Sequence, residues 1–385
     1  MEKFLRRAPR CCKLARMTTH HQTRREFIRR TSLAAAGAPW LAAWSSRAGA
    51  ADPNRKLGFA LCGLGGLSTG QIAPALQTTQ HCRLAGIITG TPAKAAAWKA
   101  KYGIPDKNIY NYDTMVRLAD NPDIDVVYIV TPNALHAKSA IKAAQAGKHV
   151  LSEKPMEVSV EKCQKMIDAC RAANRMLAIG YRNRFEPHTI ECIRLAREKV
   201  FGSVKTIDAA FGFILGDPSQ WRVKHALSGG GALMDVGIYA LQTARYISGQ
   251  EPVEVSATET KTDPVKFKEV DETMAFQLKF PDGVTASCRT SFNSGSLNSY
   301  TVQAEKGSFG LVPAYNYGGV QGRRSDGQPI VGPVVNQFAA EMDDFSLCIM
   351  NNKATIVPGE EGLRDVKIMM AIYEAAKTGK PVKMA

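Results

Sequence analysis

The sequence predicts an α/β protein, with an N-terminal doubly wound parallel sheet of the Rossmann type followed by an α+β domain on a large, mostly antiparallel sheet. Three observations carry that expectation. From residue 56 to about 180, short β-rich apolar runs alternate with helical stretches, as in a parallel sheet covered by helices on both faces. The first run ends in a glycine-rich turn, Gly63-Leu64-Gly65-Gly66-Leu67-Ser68. After Tyr181 the texture changes to successive β runs joined by hairpin signals such as Pro281-Asp282-Gly283 and Lys306-Gly307.

In order, the first domain (52–180) offers strands at Leu57–Cys62, Arg83–Thr89, Val126–Thr131, His149–Ser152 and Leu177–Gly180. Helical patterns lie between them at Ile72–Thr78, Ala93–Tyr102, Asp113–Asp120, His136–Ala146 and Val160–Ala173, the last with Ser159 as its N-cap. The second domain (181–385) opens with a helix at Thr189–Lys199. Its strands are Ser203–Phe213, Val253–Thr262, Glu272–Phe280, Val284–Phe292, Tyr300–Glu305 and Ser308–Val312. A helix from Ala232 to Ser248 follows a Gly229-Gly230-Gly231 hinge, residues 313–335 read as a long Gly- and Pro-containing loop, and an amphipathic helix, Glu361–Thr378, ends before Gly379.

A chain of 385 residues suits two domains. Its composition excludes wholesale disorder, collagen and a small disulfide scaffold, and no long uncharged apolar run marks a polytopic membrane protein. The net charge of +15 is concentrated at one end: residues 1–50 carry eleven Lys/Arg against two Asp/Glu. The rest is an ordinary solvated surface, which argues against a nucleic-acid partner. In the basic head, Arg24-Arg25 and Phe27 precede an Ala-rich stretch, Thr31–Trp44, and a small-residue site, Ala48-Gly49-Ala50. That order reads as a twin-arginine signal peptide over residues 1–50, with Met17 an alternative start, and it implies export of a folded protein to the periplasm. Beyond the head, seven cysteines at scattered positions form no disulfide framework, and the histidines show no metal-ligand spacing, so no metal is expected.

The Gly63–Ser68 turn is a dinucleotide fingerprint with Ser68 in its last place. Gly63 makes the tight turn, Gly65 lets the backbone approach a pyrophosphate, and small Ser68 permits close helix–strand packing. An NAD site wants an acid near the end of the second strand, yet residues 83–94 contain none. Thr89, Gly90 and Lys94 instead suit a 2′-phosphate, which favours NADP over NAD. The strand at Val126–Thr131 runs into Thr131-Pro132-Asn133 and His136, and the next, His149–Ser152, into Glu153-Lys154-Pro155, both at the carboxyl edge where ligands bind. Asp235 and Tyr239, four apart, share a helix face. With Lys154 they make a proton-transfer set, since a tyrosine is a poor base at neutral pH unless a neighbouring cation favours its phenolate. His225, near the glycine hinge, is the next candidate base.

Further segments make the pattern specific: TGTPAK (89–94), YNYDTM (110–115), VVYIVTPNALHA (126–137), AGKHVLSEKPM (146–156), IGYR (179–182), QWR (220–222), GGGALMDVGIYAL (229–241) and PGEEGLRDV (358–366). Together they resemble the glucose-fructose oxidoreductase/inositol dehydrogenase/MocA (Gfo/Idh/MocA) family over nearly all of residues 56–382. The resemblance implies that Lys154 lies beside the nicotinamide and the sugar, that Tyr239 is the acid/base at the sugar hydroxyl, and that Asp235 orients both. It implies that Thr89 and Lys94 hold the 2′-phosphate, that Tyr112 lies along the cofactor, and that Arg182, Trp221 and Arg222 close over it. Tyr239, where many members carry His, sides with the glucose-fructose oxidoreductase branch. A homodimer or homotetramer is implied through the C-terminal sheet.

The expected function is a periplasmic oxidoreductase with retained NADP, oxidising one sugar to its lactone and reducing a second. The alternatives are a sugar or cyclitol dehydrogenase with exchangeable cofactor, a cofactor-dependent glycosidase of the same superfamily, and a sugar-binding sensor on a dehydrogenase scaffold.

Overall fold

The structure, a computed structural model, describes residues 55–384. The twin-arginine head and its small-residue site lie outside the described residues. The first sheet has six parallel strands in the order β3-β2-β1-β4-β5-β6: β1 Leu57–Cys62, β2 Cys82–Ile88, β3 Ile109–Tyr110, β4 Val126–Ile129, β5 His149–Glu153 and β6 Leu177–Gly180. Strands β1 and β4 are buried at every residue, which is why they read as continuous apolar runs rather than alternating ones. The strand order reverses between β1 and β4, and their carboxyl ends open a crevice there. β3 escapes the sequence pattern because two residues are too few to show a period.

The helices flanking this sheet are short at the crevice. A π-helical turn, Ser68–Ile72, runs into α1, Ala73–Leu76, and α2 spans Pro92–Tyr102. A 3₁₀ segment, Thr114–Asp120, takes the place of a regular helix. Then come α3, His136–Gln145, and α4, Val160–Ala172. Ser159 caps α4 as expected, its hydroxyl accepting from the Lys162 N–H at 3.2 Å.

The second sheet has nine strands. After α5, Pro187–Arg197, come β7 Val204–Gly212, α6 His225–Ser228, a π-helical turn at Leu233–Gly237 leading into α7 Ile238–Ser248, and then β8 Glu254–Thr260, β9 Thr273–Lys279, β10 Thr285–Ser291, β11 Asn298–Ala304, β12 Gly307–Leu311, β13 Gly322–Arg324 and β14 Pro329–Ile330. Helices α8, Gln337–Met350, and α9, Gly359–Thr378, precede the edge strand β15, Val382–Lys383. The order is β14-β13-β12-β11-β7-β10-β9-β8-β15, antiparallel except for the β7–β10 pair. β9 shows the alternation of a half-covered sheet: Met274, Phe276 and Leu278 are buried and their neighbours exposed.

Two segments differ from the sequence reading. The stretch 313–335 is not a plain loop, because it folds back as the β13–β14 hairpin. Helix α8 had no sequence assignment; Asn336 caps it, its side chain accepting from the Phe338 and Ala339 N–H groups at 3.1 Å. This helix returns to the first sheet, where the Asp343 carboxylate accepts from the Gln80 and His81 N–H groups at 2.8 and 2.7 Å. Helix α9 packs against α4 and β6 as well as β8. The chain from 337 onward therefore ties both sheets together.

Gly229–Gly231 is not a hinge. A Cβ on Gly229 would fall 2.3 Å from Val158 Cβ, one on Gly230 2.1 Å from the Tyr373 hydroxyl, and one on Gly231 1.9 Å from the Asp271 carbonyl oxygen. Gly229 and Gly230 make room for the Val158 and Tyr373 side chains, and Gly231 lets backbone approach the backbone of Asp271. The buried Asp271 carboxylate locks the segment, accepting from the Gly231 N–H at 2.6 Å, the Leu233 N–H at 2.7 Å and the Tyr373 hydroxyl at 2.7 Å. Gly231→Ala is accordingly expected to lower stability by about 1–3 kcal/mol, the usual range for overpacking. Gly216→Ala, whose methyl group meets nothing within 4 Å, should unfold like the parent. Denaturant titration of the two variants checks this, and equal midpoints would refute the close-packing account.

Candidate active site

A cleft of about 1320 Å³ opens where the carboxyl ends of the first sheet face β7, the π turn before α7, and the 315–317 loop. One end is the nucleotide fingerprint. Gly63 sits at φ +97°, and a Cβ there would press 2.8 Å from the Val130 carbonyl oxygen. Gly65 and Gly66 differ: both line the cleft, and the space a side chain would fill is open. That space fits a pyrophosphate approaching the bare backbone. Leu64 and Leu67 complete the lining of the turn. Ser68 stays behind it, its hydroxyl donating to the Gly63 carbonyl at 2.6 Å.

Thr89, Gly90, Thr91 and Lys94 line the cleft beyond the turn, with no acid among them. The Lys94 ammonium donates to the Leu64 carbonyl at 3.1 Å. Gly90 lets the Tyr112 ring close in, since a Cβ there would be 3.2 Å from its edge. Toward the middle, Thr131 presents a buried hydroxyl with no partner, while Pro132 and Asn133 line the wall. The Asn133 amide donates to the Ser228 carbonyl at 2.9 Å and so fastens this wall to α6. A bare backbone cradle, a cation and an unpartnered hydroxyl together fit a nicotinamide dinucleotide.

His136 is not part of the lining. It is fully buried, with Nε2 2.8 Å from the Thr131 carbonyl and Nδ1 3.0 Å from the Pro155 carbonyl, and burial lowers its pKa. It braces the Thr131 loop against the Lys154-Pro155 segment. His225 is exposed on α6, away from the cleft.

At the other end Lys154, Asp235 and Tyr239 do converge. The Lys154 ammonium donates to the Asp235 carbonyl at 2.6 Å and to its carboxylate at 3.1 Å. It also lies over the Tyr239 ring, 5.1 Å from the centroid. Arg222 holds the other carboxylate oxygen of Asp235 at 2.7 Å and stacks on Trp221 at 4.6 Å. Burial pushes Asp235 up, but Arg222 and Lys154 outweigh it and hold the carboxyl well below the usual carboxylate range. Burial likewise pushes Lys154 down, and the charge of Asp235, with that of Glu153, overcomes this and raises it. The π turn, in which Ile238 N–H reaches back to the Leu233 carbonyl, carries Asp235, and Tyr239 stands on the regular helix after it. Single-turn π bulges often mark functional sites.

The cation at the phenol oxygen is Arg182 rather than Lys154. Its Nε donates to the Tyr239 hydroxyl at 3.1 Å. Its other nitrogens donate to Asn183 Oδ1 at 2.9 Å, Gln337 Oε1 at 2.6 Å and the Tyr315 carbonyl at 2.6 Å. At 3% exposure this guanidinium is a fixed part of the wall, not a group that closes over a ligand. Sequence reasoning also missed Tyr315, Tyr317, Asn298 and Phe338, which line the same cleft; the Tyr-Asn-Tyr run at 315–317 was the available signal. Glu153 is buried in the floor with Tyr128 and Glu341. The Tyr128 hydroxyl lies 2.8 Å from Glu153 and 3.2 Å from Glu341, and burial, with the charge of Glu153, pushes Glu341 well above the carboxylate range.

With this geometry in place, comparison with known proteins is decisive. Residues 57–181 match the oxidoreductase family with an NAD-binding Rossmann fold, GFO/IDH/MocA, and residues 190–310 match the GFO/IDH/MocA C-terminal domain. A relative from Haloarcula marismortui, named D-xylose 1-dehydrogenase [NADP(+)], is 30% identical over 89% of this chain and 96% of its own. The chain belongs to the GFO/IDH/MocA family. A crystal structure of aldose-aldose oxidoreductase from Caulobacter crescentus, complexed with glycerol, is 45% identical and superposes with a TM-score of 0.83 over 86% of this chain and all of that one. Levoglucosan dehydrogenase, at 23% identity and a TM-score of 0.74 over 86% of this chain and 99% of that one, shares the fold. The protein is thus a sugar oxidoreductase of this family with an NAD(P)-binding Rossmann domain.

The Asp235 carboxylate lies between two cations, Lys154 and Arg222. Asp235→Asn should cost about 3 kcal/mol, because breaking a buried pair leaves its partners uncompensated. A carboxyl depressed in the folded state contributes stability that is fully present above its unfolded pKa of about 3.9 and is lost as pH falls through the folded value. The difference between parent and variant should therefore persist from pH 7 to pH 4 in urea titrations. A difference that disappears by pH 5 would contradict the assignment.

Proposed function

We propose that the protein is an exported, periplasmic NADP-dependent oxidoreductase that oxidises an aldose to its lactone and passes the hydride to a second sugar carbonyl, giving an alditol. The observation that carries this reading is the single phenol oxygen of Tyr239, which receives a fixed donor from Arg182 and is flanked by the Lys154–Asp235 pair at the closed end of the nucleotide groove. A bound nicotinamide supplies hydride acceptance and return.

The first sugar loses a hydride from its anomeric carbon and a proton from its hydroxyl oxygen, and Tyr239 takes the proton. Arg182, donating to the phenol oxygen, stabilises the negative charge that readies it as a base. Lys154, with Asp235 fixing its ammonium, orients the sugar oxygen. In the second half the acceptor sugar takes the hydride at its carbonyl carbon and the Tyr239 proton at its oxygen. One acid/base serves both halves, which matches a ping-pong exchange with one site. The names of the relatives support aldoses as the substrate class. The acid-free lining at Thr89–Lys94 supports NADP over NAD. An exported enzyme meets little free nucleotide, which favours a retained cofactor, and Arg24-Arg25 with Ala48-Gly49-Ala50 supports export. Assembly as a homodimer or homotetramer completes the proposal.

Denaturing the purified mature protein and identifying the released nucleotide by mass spectrometry should give NADP or NADPH at near-stoichiometric yield. Absorbance of the retained nicotinamide should then rise with an aldose alone and fall on addition of a second sugar. An empty protein that turns over only with added NADP would instead make it a dehydrogenase with exchangeable cofactor. Tyr239→Phe should leave fold and nucleotide content intact and slow both half-reactions by about 10²–10⁴-fold; wild-type rates would place the base elsewhere. Replacing Arg24 and Arg25 by Lys should trap the precursor in the cytoplasm, and normal processing of that variant on cell fractionation would refute the export route.

A further inference from the structure

Tyr239 borders two spaces. Besides the cleft it lines a narrow chamber of about 10 Å³, walled also by Asn183, Thr189, Gln242, Tyr246 and Tyr300. Three of these wall residues, from three different elements, carry hydroxyl oxygens that are buried and have no hydrogen-bond partner: Thr189 on α5, Tyr246 on α7 and Tyr300 on β11. Leaving a buried hydroxyl unsatisfied forfeits its hydration without return, so three orphans around one void call for an occupant.

Local groups do not supply one. The Thr189 N–H is satisfied by the Glu186 carboxylate, but its hydroxyl is not. Arg184 lies over the Tyr246 ring at 4.4 Å and engages the face, not the hydroxyl. The Tyr300 hydroxyl has the Cys192 thiol beside it, a weak acceptor. The chamber has about the smallest volume that holds a water molecule, and buried waters make about three hydrogen bonds to groups that otherwise lack them.

We propose that one ordered internal water occupies this chamber, hydrogen-bonded to Thr189, Tyr246 and Tyr300, and that it positions Tyr239 for proton transfer. The positioning half rests on the reading of Tyr239 as the acid/base. The water reaches the phenol by two routes. Tyr239, Gln242, Thr243 and Tyr246 lie on one face of α7 at helical spacing, so the chamber wall and the catalytic ring are one surface. Asn183, in the same wall, takes its hydrogen bond from the guanidinium that holds the Tyr239 hydroxyl.

Tyr246→Phe, Tyr300→Phe and the double variant test both halves in the holoenzyme. With a water present, each single variant lowers the unfolding midpoint. The double variant loses less than the sum, because the first deletion already releases the water. The two hydroxyls do not contact each other, so coupling between them requires a shared third body. In a dry chamber each deletion removes an unsatisfied group, so midpoints stay level or rise and the effects add; that result overturns the proposal. A crystal structure of the protein should show density for the water within hydrogen-bond distance of all three hydroxyls, and a clear void overturns it equally. Both single variants should lower kcat in the two half-reactions by about tenfold, the scale of a misplaced reacting group, with KM and nucleotide content unchanged. Wild-type kcat would overturn the positioning role. That outcome is distinguishable from failure of the catalytic reading, which Tyr239→Phe tests separately.

Discussion

The guanidinium of Arg182 is the interaction on which the rest of the site depends. It emerges just past β6, the last strand of the nucleotide-binding sheet. From there it reaches Tyr239 on α7, Gln337 at the start of α8 and the Tyr315 carbonyl on the loop after β12. Elements far apart in the chain are thereby fixed to the edge of the first sheet. Among the described residues its hydrogen bonds go to a phenol, two side-chain amides and backbone carbonyls, with no carboxylate among them. Those dipoles satisfy its donors without neutralising its charge. Lys154 differs, since Asp235 already pairs with it. Of the two cations beside Tyr239, the unpaired one contacts the oxygen where negative charge develops, the more effective arrangement for a proton acceptor.

That division of labour shows what was legible in the sequence. The parallel sheet, the Gly63–Ser68 turn, Lys154, Asp235 and Tyr239 were readable because each belongs to a regular pattern: apolar strands, a phosphate-binding turn, and an i,i+4 pair. The structure brings Lys154 and Tyr239 together as the pattern implied. Which cation meets the hydroxyl was not readable. It depends on acceptors at 183, 315 and 337 that no local spacing connects to Arg182. Helix α8 was obscured for a related reason. Its start signal is the Asn336 cap, which lies among the Gly- and Pro-rich residues of the preceding hairpin and looked like more loop.

Gly229–Gly231 makes the same point about backbone. Three consecutive glycines announce freedom in a sequence, yet here they occur where Val158, Tyr373 and Asp271 leave no room for a methyl group. The consequence is functional. Asp271 binds the Gly231 and Leu233 N–H groups, which sets the start of the π turn and hence the direction of Asp235. A flexible segment would let the carboxylate swing away from Lys154 and Arg222, and both would then face each other unneutralised.

The floor of the cleft adds a constraint on protons. Tyr128 carries one hydroxyl hydrogen and has a carboxyl group on each side. One hydroxyl hydrogen cannot serve two carboxylates fully, and like charges this close oppose each other's ionisation. Burial, with the charge of Glu153, pushes Glu341 well above the carboxylate range, and burial raises Glu153 as well, Lys154 drawing it back only in part. The pair therefore resists carrying two full charges beneath Lys154. With two, the floor would compete with Asp235 for the lysine and loosen the contact that fixes its ammonium in the cleft. The resistance of Glu341 to ionisation thus helps keep Lys154 turned toward Asp235 and the sugar end of the cleft.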